Sequence, residues 1–193
     1  MKGCRSLSDQ EADLIQKSFA GIFAARDRAV FALGRYTGER ISAILHLKVG
    51  DVVQAGKVAD AVTYRRANRK GKVEGRTVTL HQAAKDALAA WINQLAKDTV
   101  LAAEDFLFPS RKGSGPVGRV QYHRILKEAV QANELTGKVA THSMRKTFAD
   151  RAYELLGHDI FRTQKALGHK NLNSTAQYLS FKEADIDAAI LAM

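Results

Sequence analysis

Leu167-Gly168-His169-Lys170-Asn171-Leu172-Asn173-Ser174-Thr175-Ala176-Gln177-Tyr178 is the stretch whose reading decides the fold. Gly168 can end a helix that precedes it, because glycine accepts left-handed backbone without a steric cost, and Asn173 or Ser174 can cap the helix that follows. His169 and Tyr178 then converge across a bent helical pair. A tyrosine near a basic cluster is a candidate nucleophile, since neighbouring cations favour the phenolate. A tyrosine at a helix end is more often only packing, so the stretch needs support from the rest of the chain.

Upstream, Thr141-His142-Ser143-Met144-Arg145 opens a helix, with Thr141 as its N-cap. His142 and Arg145, three residues apart, share a face of the first turn, where the helix dipole already favours an anion. A phosphate fits there. Further upstream stands Tyr36-Thr37-Gly38-Glu39-Arg40-Ile41-Ser42-Ala43-Ile44-Leu45. Thr37-Gly38 breaks one helix, Ile41, Ile44 and Leu45 form the buried face of the next, and Arg40 sits at its start. Between these segments, Ala61–Tyr64 and Thr77–Leu80 are rich in β-branched residues and read as a hairpin. Its connection carries Arg65, Arg66, Arg69, Lys70, Lys72 and Arg76 against Glu74 alone. Such a concentration of charge suits phosphate contacts, and a lysine at the tip could donate a proton in a DNA groove.

The composition points the same way. The chain has 193 residues, 46% of them hydrophobic and 26% charged, which is enough for one well-cored domain and excludes a disordered tail. Thirty Lys and Arg against 20 Asp and Glu leave a net charge of +10, the footprint of a protein that meets a polyanion. Cys4 is the only cysteine, so neither an internal disulfide nor a zinc knuckle can form, which suits a reducing compartment. The start lacks an apolar signal region and no stretch is long enough to span a membrane, so a soluble, cytoplasmic protein is expected.

The periodicity is mostly helical. Ser8 and Glu11 form a capping box ahead of a helix with Leu14, Ile15 and Phe19 on one face. Amphipathic helices follow at 24–35, 82–97 and 119–132, the last with Val120, Ile125, Leu126 and Val130 as its apolar face. Both prolines, Pro109 and Pro116, lie in one Gly/Ser/Lys-rich loop. The expected class is mainly α with a small antiparallel β-sheet (α+β), as a single domain over 1–193.

Taken together and in this order, the four segments resemble the catalytic domain of the tyrosine recombinase (phage integrase) family. The family's first box, Thr-Gly-x-Arg before a hydrophobic helix, stands here as Thr37-Gly38-Glu39-Arg40. A hairpin lysine, a His-x-x-Arg box, a Leu-Gly-His box and a terminal tyrosine follow, and His169 and Tyr178 are nine apart as in the family pattern. Leu156-Gly157-His158 echoes the third box, but nine residues beyond His158 lies Leu167, so His158 reads as a helix end. Two departures stand out. Ala43 occupies the place, three residues after the first arginine, where family members commonly carry Glu, so that arginine's support must differ. The longer hairpin turn leaves the lysine between Lys70 and Lys72, and Lys70, in Lys-Gly at the end of the first strand, is the closer match.

The resemblance implies that Tyr178 attacks a DNA phosphodiester to give a 3′-phosphotyrosyl intermediate and a free 5′-hydroxyl. Arg40 and Arg145 would clamp the non-bridging oxygens, His142 and His169 would hydrogen-bond the phosphoryl group or assist proton loss, and Lys70 would protonate the leaving oxygen. No cofactor or metal is required. The implied partners are double-stranded DNA, further copies of the chain in a tetramer on DNA, and accessory DNA-bending proteins. Arg65, Arg66, Arg69, Lys72, Arg119 and Arg124 would bind DNA. The C-terminal helix, 182–193, would fold back on its own core or dock on a neighbouring protomer, and no N-terminal core-binding domain is expected. A type IB topoisomerase-like nicking and resealing activity uses the same residues, and a catalytically inactive DNA-binding accessory protein is the alternative from another class.

Overall fold

The computed structural model describes residues 3–65, 75–97, 99–111, 115–179 and 190–193. Two compact units divide the chain, Met1–Phe148 and Ala149–Met193.

In the first unit the capping box is realised at both of its bonds. The Ser8 side chain accepts from the Glu11 N–H at 3.2 Å and the Ser8 N–H donates to Glu11 Oε2 at 2.9 Å, starting α1 (Asp9–Ser18). The buried stripe of α1 is Ala12 and Ile15, continued by Phe19, while Leu14 is 47% exposed. Leu14 is one step, about 100° of helix rotation, from Ile15 and so falls off the stripe. α2 (Ala24–Thr37) is the central helix: Ala29, Val30, Phe31, Ala32 and Leu33 are all buried, a helix enclosed on every side. Gly38 ends it in the left-handed conformation, with φ 60° and its N–H bonded to the Gly34 carbonyl. α3 (Ile41–Leu45) follows at once, with Ile41, Ile44 and Leu45 buried as its spacing predicts.

A two-residue hairpin, β1 (Val53–Gln54) and β2 (Lys57–Val58), turns through Ala55 and Gly56, both at positive φ. The larger hairpin pairs β3 (Ala61–Tyr64) with β4 (Arg76–Thr79) in antiparallel register, Val62 opposite Val78 and Tyr64 opposite Arg76. Residues 66–74, between these strands, lie outside the described residues. α4 (Gln82–Leu95) packs on α2 and is pinned where Trp91 Nε1 donates to the Leu107 carbonyl at 2.7 Å. α5 (Arg119–Ala132) packs on α1 and α3 through Tyr122, Leu126, Ala129 and Val130. Val120, expected on that face, is 60% exposed, and Tyr122 takes its place in the core. Each fully buried Leu, Ile or Phe here contributes about 1.5–3 kcal/mol by leaving water. Among the described residues, no helix is long and apolar enough to cross a membrane.

α6 (Thr141–Leu155) begins in the first unit, and the division falls within it. Thr141 is its first turn rather than its cap: the Ala140 N–H donates to Ser143 Oγ at 3.1 Å, so the serine inside the helix folds back to close the end. In the second unit, Gly157 and His158 both take positive φ after α6, His158 donating its N–H to the Tyr153 carbonyl, which makes that Leu-Gly-His a helix end. α7 (Ile160–Leu167) is capped by Asp159 and packs on α8 (Leu172–Ala176).

Candidate active site

In the first unit the site is built around the turn from α2 to α3. Thr37 is fully buried, and its hydroxyl donates to the Leu33 carbonyl at 2.7 Å, lies 3.0 Å from the Tyr64 hydroxyl and accepts the Glu39 N–H at 3.3 Å. That network fixes the backbone on which Gly38, Glu39 and Arg40 stand. Arg40 is the N-cap of α3, half-buried, with its side chain leaving the start of that helix.

The first turn of α6 meets this turn directly. Arg145 is 1% exposed, and its Nη1 donates to the Gly38 carbonyl. The Thr-Gly-x-Arg and His-x-x-Arg segments, more than a hundred residues apart in sequence, therefore share one place in the unit. His142, one turn before Arg145, reaches solvent. Partial burial of its ring, followed by the positive charges of Arg145, Arg40 and Arg119, pushes its pKa below the ordinary 6.5. Positive charge around His142 favours an anion there and disfavours the imidazolium form.

This shift has a checkable consequence. In the DNA-free protein the His142 ring is expected to titrate below 6.5, and Arg119→Ala is expected to raise that value, both read from its ring-proton NMR signals against pH. Because the folded-state pKa is the lower one, the folded chain binds fewer protons than the unfolded chain. His142 therefore contributes stability above 6.5 that is lost as pH falls through its own pKa.

The second unit holds the other two candidates. Gly168 ends α7 with φ 63°, its N–H bonded to the Lys165 carbonyl at 3.1 Å. The His169 N–H reaches the Gln164 carbonyl at 3.1 Å, and Gln164 Nε2 donates back to the His169 carbonyl at 3.0 Å. The backbone of His169 is clamped on both sides. Its Nδ1 lies 3.0 Å from the hydroxyl of the fully buried Thr175. The Thr175 carbonyl accepts the Tyr178 N–H at 2.9 Å, and the His169 and Tyr178 rings stand 5.2 Å apart at 47°. Asn171, rather than Asn173 or Ser174, caps α8, accepting from the Asn173 N–H at 2.8 Å.

Other tyrosines are committed to structure. Tyr122 is buried and donates its hydroxyl to the Asp27 carbonyl at 3.1 Å, while Tyr64 is buried against Thr37, and burial raises the pKa of both phenols. Tyr36 stacks on His81 at 4.3 Å and Tyr153 meets His158 edge to face.

The expected DNA-contacting residues fall in different settings. Arg119 and Arg124 are exposed on α5, with His123 and Lys127 on the same exposed surface. Arg65 is held by Asp51, at 2.7 Å, and by Glu104, at 3.5 Å, so its charge is locally answered. Arg66, Arg69, Lys70 and Lys72 lie outside the described residues, as does most of 182–193. Sequence reading missed Glu39, the buried carboxylate inside the first box, although an acidic residue before an arginine at a helix start was visible in the sequence.

Comparison with known proteins gives the same assignment. Residues 5–184 match the phage integrase family. The chain is 30% identical over 164 residues to a probable integrase/recombinase YoeC of Bacillus subtilis, covering 85% of this chain and 82% of that protein. In structure it is similar to the XerH site-specific recombinase bound to its palindromic difH substrate, with a TM-score of 0.77 at 22% identity, over 98% of this chain and 53% of that one. It is also similar to the catalytic domain of bacteriophage HP1 integrase, with a TM-score of 0.59 at 16% identity, over 91% of this chain and 87% of that domain. The chain spans about half the length of curated XerC relatives that it matches, 49% and 46% in two cases. Mainly helical with small antiparallel hairpins, and carrying the four segments in family order, the chain belongs to the phage integrase family of tyrosine recombinases.

Proposed function

We propose that this chain cleaves and rejoins double-stranded DNA through a 3′-phosphotyrosyl intermediate. The reading rests above all on the meeting of α6 with the α2–α3 turn, where the buried Arg145 donates to the Gly38 carbonyl two residues before Arg40, the N-cap of α3. Buried and half-buried guanidiniums gathered at a helix start suit one task, holding a phosphoryl group whose charge grows in the transition state. Each lost donor of this kind costs about 10²–10³ in rate.

In the proposed step, Tyr178 Oη attacks phosphorus and the bond from phosphorus to the 5′-oxygen breaks. The departing oxygen takes a proton from the hairpin lysine, Lys70 or Lys72, while the tyrosine's proton passes to a histidine or to water. Arg40 and Arg145 hold the non-bridging oxygens, and His142 and His169 donate to the same group. The phosphotyrosyl ester keeps the energy of the broken diester, so a 5′-hydroxyl from another strand reverses the step. Integration, excision and inversion all reduce to this exchange between sites, with several copies of the chain assembled on the DNA.

The test is a duplex carrying its recombination site with a nick placed just 3′ of the scissile phosphate, so that the short cleaved fragment diffuses away. The expected result is a denaturant-resistant adduct in which the DNA 3′ end is joined to the peptide containing Tyr178. An adduct through a 5′ end, or none on a duplex that the protein binds, would overturn the reading. Relaxed plasmid without recombinant products would instead place the chain among nicking and resealing enzymes.

A further inference from the structure

Glu39 is a carboxylate in a place where carboxylates are costly. It is 2% exposed, inside the turn that presents Arg40, and a buried carboxylate persists only where its charge and lone pairs are answered. Both oxygens are. Oε1 accepts the backbone N–H of Arg40 at 3.0 Å, and Oε2 lies 3.2 Å from Nη1 of Arg76, the first residue of β4. Arg76 is itself largely buried, with 14% of its side chain exposed. The carboxylate therefore joins the start of α3 to the β3/β4 hairpin. Ala43, one turn into α3, is buried and offers the arginine no carboxylate from that side.

We propose that Glu39 is the positioning residue for Arg40: through its bond to the Arg40 N–H and its ion pair with Arg76, it fixes the direction in which the Arg40 guanidinium leaves the helix start. The inference rests on the strand-cleavage reading above. Glu39 itself touches no DNA in this role. It acts by holding the N-cap backbone of α3 against a second anchored strand, and a displacement of about 1 Å at such a clamp can cost a hundredfold in rate.

The experiment uses Glu39→Gln in the full chain, which keeps the shape and removes the charge that binds Arg76. Single-turnover adduct formation is expected to slow by about 10–100-fold, with DNA affinity little changed. On DNA whose scissile phosphate is replaced by a neutral methylphosphonate, the deficit should shrink, because Arg40 has less charge to neutralise there. A rate equal to that of the unmodified chain, or the same deficit on both substrates, would overturn the proposal. Arg76→Met should reproduce the loss and Arg76→Lys should restore most of it, which guards against a Glu39 variant that merely folds poorly. The placement of Arg40 is also read without activity: in Glu39→Gln the NMR signals of both the Arg40 backbone N–H and its side-chain Nε–H should shift, and an unshifted Nε–H would overturn the proposal. An unmodified chain that forms no adduct would end the cleavage reading, while these signals still judge the position of Arg40.

Discussion

Tyr178→Phe is expected to abolish the covalent protein–DNA adduct while leaving DNA binding and the folded state intact. The substitution removes one oxygen from a half-buried ring whose backbone N–H is held by the Thr175 carbonyl and whose face meets His169 at 5.2 Å. Phenylalanine keeps the ring, so the loss is chemical: no other atom of that side chain can form the phosphoester bond. Tyr64 and Tyr122, both buried with bonded hydroxyls and raised pKa values, offer no replacement. The check is the nicked duplex resolved under denaturing conditions, beside a binding assay on the same preparation. Adduct formation by Tyr178→Phe would remove Tyr178 from the mechanism.

Gly38→Ala is expected to destabilise the chain by about 2–5 kcal/mol and to remove most of its cleavage activity, the sum of two separate costs. The first is backbone strain of about 1–2 kcal/mol, because the residue has φ 60° and a side chain there crowds its own carbonyl. The second is overpacking, about 1–3 kcal/mol, because the new Cβ would stand 2.2 Å from Cδ1 of Phe148. Phe148 lies on α6 three residues beyond Arg145, and the Gly38 carbonyl is the acceptor for Arg145 Nη1. Relief by moving the ring therefore moves the helix that presents His142 and Arg145. Against a total stability of about 5–15 kcal/mol the loss is large. Urea unfolding midpoints for the two proteins check it, and a midpoint unchanged by the alanine would show that the turn has slack.

What the sequence made legible were the features set by local chemistry. Ser8 and Glu11 satisfy each other within one turn, and Gly38 and Gly168 both end helices in left-handed backbone, so neighbours alone specify those sites. The hairpin from Ala61 was legible because both arms are rich in β-branched residues. The short hairpin through Ala55 and Gly56 was not, since two-residue strands carry no period. Helix faces were legible only coarsely. Leu14 and Val120 are apolar yet exposed, because the face of a helix that is buried depends on what packs against it. The caps at Thr141 and at Asn173 or Ser174 were displaced by Ala140 with Ser143 and by Asn171, as several polar residues within one turn compete for the same N–H groups. The candidate site residues were chosen by type and spacing alone. The bonds that orient them were not legible, since Arg145 to Gly38 and Arg76 to Glu39 span 107 and 37 residues.

Thr175 ties two of the chemical groups together at once, its hydroxyl at His169 and its carbonyl at the Tyr178 N–H. Loops ordinarily absorb added residues at their surface. The segment from Gly168 to Tyr178 cannot, because one residue inserted within α8 turns everything beyond it by about 100° and advances it about 1.5 Å. An insertion ahead of Thr175 takes its hydroxyl off the imidazole, and one after it swings the tyrosine ring about 100° away from the histidine. The interval from His169 to Tyr178 is thus a fixed ruler, and variation in chain length must be accommodated elsewhere in the molecule.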